Sequence, residues 1–572
     1  MRRNVILRIR IITGFILCIA LLLVARLYYV QIMEGEVYSI KAEDQYVKTR
    51  QDLYSRGSIY FTARDGKSVA AASIKSGFLL SINPSLITDP KATCESLQPY
   101  LLHTIEKCQE QASFTSRKYI ELEKTITKEA ADAIKLLNLK GVQLYRNQWR
   151  FYPGGMLAAR SVGFVGFTEK SDVELHGKYG LERQYDHVLV REREVRSVNI
   201  FAEIFSNLGE MIYRKDEASH GDIITTIEPT VARMLDTILE KTNQKYTSEL
   251  TGAIIMDPKT GEIIAMSAVP SFDLNDRSNA SIEFFQNPLV ENVYEFGSTI
   301  KALTVAAGLD SGMITADTTY YDEGSITLDG YTIKNFDGKG RGTVPMQEVL
   351  NQSLNTGVSF IVQKMGKDKF RDYFLNFKLG SETGIDLPNE AFGLVDNLRS
   401  PRSVEYATAS FGQGIAMTPI ATARALAVLG NGGHLVTPHL VKQIKYEDGT
   451  VKDINDPVGA QVISKEASEE ISRMLTTVVD EALAQGKYAM PHHTIGAKTG
   501  TAQMADPENG GYFEDQFLHS FFGYFPAYDP EFLVFMYTVK PKGVRYASET
   551  LTEPFMDIAK FLINYYDVPP DR

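Results

Sequence analysis

Three short motifs in this chain hold the residue types that acyl transfer needs. Ser298 and Lys301 stand three positions apart, after Gly297 and ahead of an apolar stretch from Ala302 to Leu309 that reads as a buried helix ending at Ser311-Gly312. Residues three apart share a helix face, so the Lys301 amine can sit beside the Ser298 hydroxyl. A serine needs a base to become a nucleophile, and a lysine serves once burial or a neighbouring cation lowers its pKa. Taken alone, the pair fits a helix N-cap and a solvated lysine better. Ser353-Leu354-Asn355, followed by Thr356-Gly357 after a predicted helix from Val344 to Leu350, could hold a hydroxyl and an amide over a cleft; by itself it reads as a polar turn. Lys498-Thr499-Gly500-Thr501 reads as a strand whose lysine and hydroxyls can bind a carboxylate while the glycine admits a substrate backbone, or simply as a strand edge.

The elements that would position these motifs are those of an α+β domain. Asp222 to Ile227 alternates as a strand does, and Glu228-Pro229 opens a helical pattern through Val231, Leu235 and Leu239. Strand candidates at 252–256 and 262–266 flank the turn Asp257-Pro258-Lys259-Thr260-Gly261, and two more lie at 520–525 and 532–539. Early and late strands around a long helical middle predict one sheet closed by both ends of the segment 220–572. Upstream, residues 34–219 alternate strand-like pieces with one helical stretch near Lys128 to Leu137 and read as a β-rich pedestal. Within it, Arg56 and the Glu182 to Asp186 region place charges among apolar residues. They are expected to form structural ion pairs, since a single glutamate is weak evidence for acid/base work.

A length of 572 residues predicts two or three domains, and a net charge of −11 gives no electrostatic footprint for nucleic acid. Arg2, Arg3, Arg8 and Arg10 precede the apolar run Ile11 to Ala25, which continues past Arg26 to Met33. This pattern predicts a cytoplasmic tail at 1–10 and a single membrane anchor at 11–33, with everything beyond it outside the cytoplasm; a cleaved signal peptide is the rival reading. Of three cysteines, Cys94 and Cys108 fit a disulfide in that compartment or two buried thiols equally well. His492 and His493 are adjacent, no cysteine and histidine cluster has zinc spacing, and neither metal nor cofactor is expected.

Together, SxxK, SxN and KTG in this order are the signature of penicillin-binding proteins and their β-lactamase relatives. The chain resembles a class B, monofunctional penicillin-binding protein of the septal type over nearly its whole length. Arg56-Gly57-Ser58-Ile59, Gly180-Leu181-Glu182 and Ser410-Phe411-Gly412-Gln413-Gly414 extend the match. Phe296 replaces a common proline, Leu354 a small or polar residue, and residues 60–66 lengthen a usual short turn. The resemblance implies a penicillin-binding transpeptidase fold, an antiparallel sheet with a helical subdomain on the pedestal. It implies Ser298 as nucleophile, Lys301 as base, Ser353 as proton relay, and Asn355 as a holder of Lys301 and of the substrate amide. Lys498, Thr499 and Thr501 would bind the terminal carboxylate, with Gly500 between them, and the N–H groups of Ser298 and Thr501 would form an oxyanion hole. Peptidoglycan stem peptides, β-lactam antibiotics, the membrane, a membrane-embedded glycosyltransferase and other cell-wall or division proteins are the implied partners.

A β-lactamase would need a deacylating base tied to these motifs, a sensor would need a larger cytoplasmic portion, and a bifunctional enzyme a second pair of acids. None is evident in the sequence. An elongation-type transpeptidase, a non-catalytic cell-wall scaffold and a β-lactam receptor are the alternatives. The short stretch after Lys498, without appended C-terminal sensor domains, favours the septal type.

Overall fold

The computed structural model describes residues 14–15, 17–23, 26, 28–29, 56–168, 171–191, 220–278, 280–454 and 459–572. The expected tail at 1–10 and much of the expected anchor at 11–33 lie outside the described residues. Residues 17–23 are helical, with Leu17, Leu21, Leu22 and Leu23 exposed; among the described residues no helix is long and apolar enough to cross a membrane. The chain divides into two compact units, 1–55 with 74–150, and 56–73 with 151–572.

In the smaller unit, residues 78–82 of the strand Ser68–Ile82 pair antiparallel with Ile120–Ile126, and Val142–Phe151 pairs with the same strand. The helix Lys128–Leu136 lies where periodicity placed it, its Thr127 side chain accepting from Ala130 N. Two further helices, Pro90–Leu97 and Ile105–Ala112, were not expected. Each has eight residues, little more than two turns, too short to display a helical period. Local chemistry starts the first: Asp89 accepts from Ala92 N and Pro90 occupies the first turn. Cys94 and Cys108, both fully buried, join these two helices in a disulfide, which resolves the open choice between thiols and bridge. Around it pack Leu80, Ile82, Leu97, Leu122 and Ile134.

The larger unit is built on a five-stranded antiparallel sheet in the order Gly496–Ala505, Tyr512–Phe525, Phe532–Val539, Leu250–Met256, Ile263–Val269. Strands from both ends of the segment therefore lie side by side, as the α+β pattern predicts. Every residue of Phe532–Val539 is buried, so both faces of the sheet's centre are covered. Helices Pro229–Tyr246 and Thr552–Tyr566 pack on the sheet and on each other. Glu228 caps the first of them, accepting from Val231 N at 2.6 Å. In the hairpin at 257–261, Asp257 accepts from Lys259 N at 2.8 Å, and Gly261 takes φ +84° against Thr437 O, which a Cβ would meet at 2.3 Å. The helical subdomain centres on Lys301–Asp310, with Asn355–Met365 and Lys465–Thr477 against it.

Also in this unit, Ile59–Thr62 pairs antiparallel with residues 68–72 and parallel with Gly221–Thr225, which pairs in turn with Val441–Tyr446. Beside it, Arg56 meets Glu182 at 2.7 Å and Asp186 at 2.7 Å, with Glu182 fully buried and touched by the Tyr152 hydroxyl at 3.3 Å. The Glu182 carboxylate is thus committed to an ion-pair cluster. Replacing Cys94 and Cys108 together by Ala should cost about 3 kcal/mol of stability, the value expected for so short a closed loop. Thermal unfolding would show the loss.

Candidate active site

Ser298 lies on a tight 3₁₀ turn, Gly297–Ile300, that runs directly into the helix Lys301–Asp310. Three approaches of backbone hold this turn in place. Gly297 takes φ +61°, and a Cβ on it would lie 2.7 Å from Thr501 O on the edge strand. Gly412 takes φ +75° and accepts from Gly297 N at 3.1 Å; its own Cβ would meet Gly297 O at 2.3 Å. A Cβ on Gly500 would come 2.5 Å from Phe296 O and 2.9 Å from Thr299 N. The backbone that Gly500 admits is the protein's own turn, whereas its residue type alone suggested a substrate's. Ser520 Oγ donates to Phe296 O at 2.7 Å, and Thr304 Oγ1 to Ser410 O at 2.7 Å, which fastens the turn to the sheet and to the loop at 410–414.

One turn further along, the Lys301 side chain is fully buried. Its amine donates to Ser353 O at 2.6 Å and lies 3.2 Å from Ser353 Oγ, with the Phe411 ring 5.9 Å away. Burial, reinforced by the nearby Lys498 cation, pushes the Lys301 amine well below the ordinary lysine range. Lys498 is itself buried on Gly496–Ala505, donates to Thr499 O at 3.1 Å, and is pushed down to about 8 by burial. Ser353 has φ +53°, a left-handed conformation that costs a non-glycine residue about 1–2 kcal/mol. Leu354, fully buried, anchors the loop from inside.

The structure therefore brings Lys301 to Ser353 and sets Lys498 near enough to act on its charge. It does not join Asn355 to Lys301: the Asn355 amide donates to Lys334 O at 2.8 Å. Thr499 and Thr501 are half-buried on the edge strand, and Thr501 Oγ1 accepts from Ala547 N at 3.0 Å. The motif reading passed over Glu295, three residues before Ser298. Its Oε1 accepts from Gly414 N at 3.0 Å and from the Tyr512 hydroxyl at 3.2 Å, and burial raises its pKa. Adjacency to the SxxK motif was its only signal. Lys301 and Lys498 are two buried amines without a carboxylate partner among the described residues, and the hydroxyl that Lys301 touches is that of Ser353, while Ser298 lies three residues before Lys301 on the turn that opens its helix. Such a site can shift a proton away from a hydroxyl and hold an anion next to it.

Residues 251–560 match the family model of the penicillin binding protein transpeptidase domain, and residues 53–224 that of the penicillin-binding protein dimerisation domain. The chain belongs to the penicillin-binding proteins that carry this transpeptidase domain. Stage V sporulation protein D of Bacillus subtilis is 30% identical over 559 residues, covering 96% of this chain and 84% of that protein. Peptidoglycan D,D-transpeptidase FtsI of Escherichia coli is 24% identical over 573 residues, covering 99% and 92%. Penicillin binding protein 2X from Streptococcus thermophilus shares the fold with a TM-score of 0.70 at 22% identity, over 90% of this chain and 81% of that one.

Gly500→Ala should push the Ser298 turn off the edge strand. Overpacking of this kind costs about 1–3 kcal/mol, so the protein should still fold while penicillin acylation slows by at least about tenfold. Stopped-flow acylation at the wild-type rate would show that the close approach is dispensable.

Proposed function

We propose that the chain is a serine D,D-transpeptidase that cross-links peptidoglycan stem peptides. Ser298 Oγ attacks the carbonyl between the two terminal D-alanines as neutral Lys301 takes its proton. The peptide C–N bond breaks, the proton passes through Ser353 to the leaving D-alanine amine, and an ester on Ser298 remains. An amine of a second stem peptide then attacks that ester, and Ser298 regains its proton. Lys498, Thr499 and Thr501 bind the terminal carboxylate, with Gly500 keeping their strand against the turn. The N–H groups of Ser298 and Thr501 stabilise the oxyanion, a donor pair worth a few kcal/mol. Asn355, its amide nitrogen taken up by Lys334, offers its carbonyl oxygen to the substrate amide. The observation that carries this reading is the buried Lys301 amine held on Ser353, depressed in pKa by burial and by Lys498.

We further propose the boundaries 1–10 for a cytoplasmic tail, 11–33 for the anchor, 34–219 for the pedestal and 220–572 for the catalytic domain, which would lie outside the inner membrane. The basic flank and apolar run at the N-terminus support the anchor. A membrane-embedded glycosyltransferase would supply the strands. Septal synthesis is the favoured setting, in keeping with the resemblance along the whole chain. A tagged copy should concentrate at the division plane; a signal spread evenly along the side wall would favour elongation.

A fluorescent penicillin should label the protein covalently, Ser298→Ala should abolish labelling, and Lys301→Ala should slow it by about 10²–10⁴-fold, the usual range for a lost general base. Undiminished labelling of Ser298→Ala would refute the assignment. Acylation should rise with pH as Lys301 loses its proton and decline as Lys498, its pKa pushed down to about 8 by burial, loses the charge that holds the carboxylate. Lys498→Gln removes the cation that depresses Lys301, so the ascending limb of the profile should move to higher pH. A limb that stays in place would rule out coupling between the two amines.

A further inference from the structure

A cavity of about 360 Å³ opens in the larger unit, and none of the Ser298, Ser353 or Lys498 motif residues lines it. Its wall is a ready-made aromatic surface. Phe164, Tyr179 and Phe285 pack with ring centroids 4.9 to 5.6 Å apart, and the Arg277 guanidinium lies over the Phe164 ring at 4.3 Å. The turn that carries Phe285 is fastened from beneath by Arg160. This arginine is 7% exposed, and it donates to Phe284 O at 3.1 Å, Gln286 O at 3.0 Å and Pro270 O at 2.7 Å. A buried guanidinium spent on main-chain carbonyls makes the rim rigid, and Ile282 projects from that rim 71% exposed.

The polar groups of the cavity are equally specific. Lys178 and Arg183 line it, and among the described residues neither is ion-paired, although the chain as a whole carries a net charge of −11. Glu291, a carboxylate whose Oε1 already accepts from Asn287 N at 2.8 Å, and Asn389, which donates to its Oε2 at 3.5 Å, complete the polar lining, in which the two cations outnumber the one anion. A preformed aromatic wall with two free cations and a few hydrogen-bonding groups fits a ligand with flat apolar faces, hydroxyls and amides, and at least one carboxylate. An acidic protein surface would satisfy the cations and leave the aromatic wall unused.

We propose that this cavity binds a disaccharide peptide of the cell-wall strand, with amino-sugar faces on Tyr179 and Phe285 and a stem-peptide carboxylate on Lys178 and Arg183. The inference rests on the transpeptidase reading, because that reading puts such a polymer at hand. The site would hold a strand on the enzyme while Ser298 works on its peptide ends.

The test uses the full chain in detergent, its Ser298 first acylated with penicillin so that the catalytic site is closed. An amino-sugar disaccharide carrying a tetrapeptide is titrated calorimetrically, beside the free disaccharide, the free peptide and a short polyglutamate. The acylated protein should still bind the disaccharide peptide, more tightly than either half or polyglutamate. Combining Arg183→Glu with Lys178→Gln should weaken binding at least about tenfold, as expected for the loss of charged hydrogen bonds. Labelling of that variant by fluorescent penicillin should be unchanged. No binding to the acylated protein, binding by the double variant within about twofold of wild type, or equal binding of polyglutamate would overturn the proposal. Failure of Ser298 to label in the wild type would instead overturn the transpeptidase reading, so the two failures are distinct.

Discussion

A lysine amine buried completely, with a serine for company and no carboxylate among the described residues, is the constraint on which the catalytic unit depends. Burial of an unpaired charge is costly, so the site favours the neutral amine. That preference leaves a side chain able to accept a proton, which is what the proposed reaction asks of Lys301. It holds only while water is kept out, which is why the helix that begins with Lys301 is buried along nearly all its length and why Phe411 closes over the amine. Lys498 acts in the same sense from the edge strand: its own burial lowers its pKa, and its remaining charge lowers that of Lys301 further.

On the proposed reading, such a base is useful only if the Ser298 hydroxyl cannot drift. Gly297, Gly412 and Gly500 allow three stretches of main chain to meet at distances that any side chain would prevent. The Ser298 turn is therefore seated on the edge strand and on the loop at 410–414 at once, and Glu295 ties that loop back through Gly414 N. Positioning by backbone contact leaves few soft torsions, and a fixed nucleophile removes part of the entropic barrier to attack.

Much of this was legible from residue types in short spacings. Ser298 with Lys301, Ser353 with Asn355, and Lys498 to Thr501 are each local, and the strands at 250–269 and 532–539 are apolar enough to declare themselves. What was not legible is what depends on distant partners. Arg56 and Glu182 are 126 positions apart, so their pairing could be expected in kind but not located. The helices Pro90–Leu97 and Ile105–Ala112 are too short to show a period, and the spacing of Cys94 and Cys108 suited free thiols as well as a bridge. The partner of Gly500 was hidden for a further reason: a glycine announces a close approach without saying to what. Asn355 was assigned to Lys301 by motif, and only the placement of Lys334 shows where its amide nitrogen goes.

Ser353 shows how strain at the site is sustained. Its left-handed backbone is unfavourable, and the loop keeps it because the residues that follow are fixed from below. Thr356 Oγ1 reaches Asp322 Oδ1 at 2.8 Å and Asn335 Oδ1 at 3.1 Å; Asn335 Nδ2 in turn donates to Asp322 at 3.0 Å, and Arg341 N donates to the same carboxylate at 3.1 Å. Asp322, Asn335 and Thr356 are all buried, so releasing the loop would strand several polar groups away from water. The network makes the strained conformation the least costly one available. The Ser353 hydroxyl and carbonyl consequently face Lys301 before any substrate arrives, and the cost of ordering them falls on folding instead of on the chemical step.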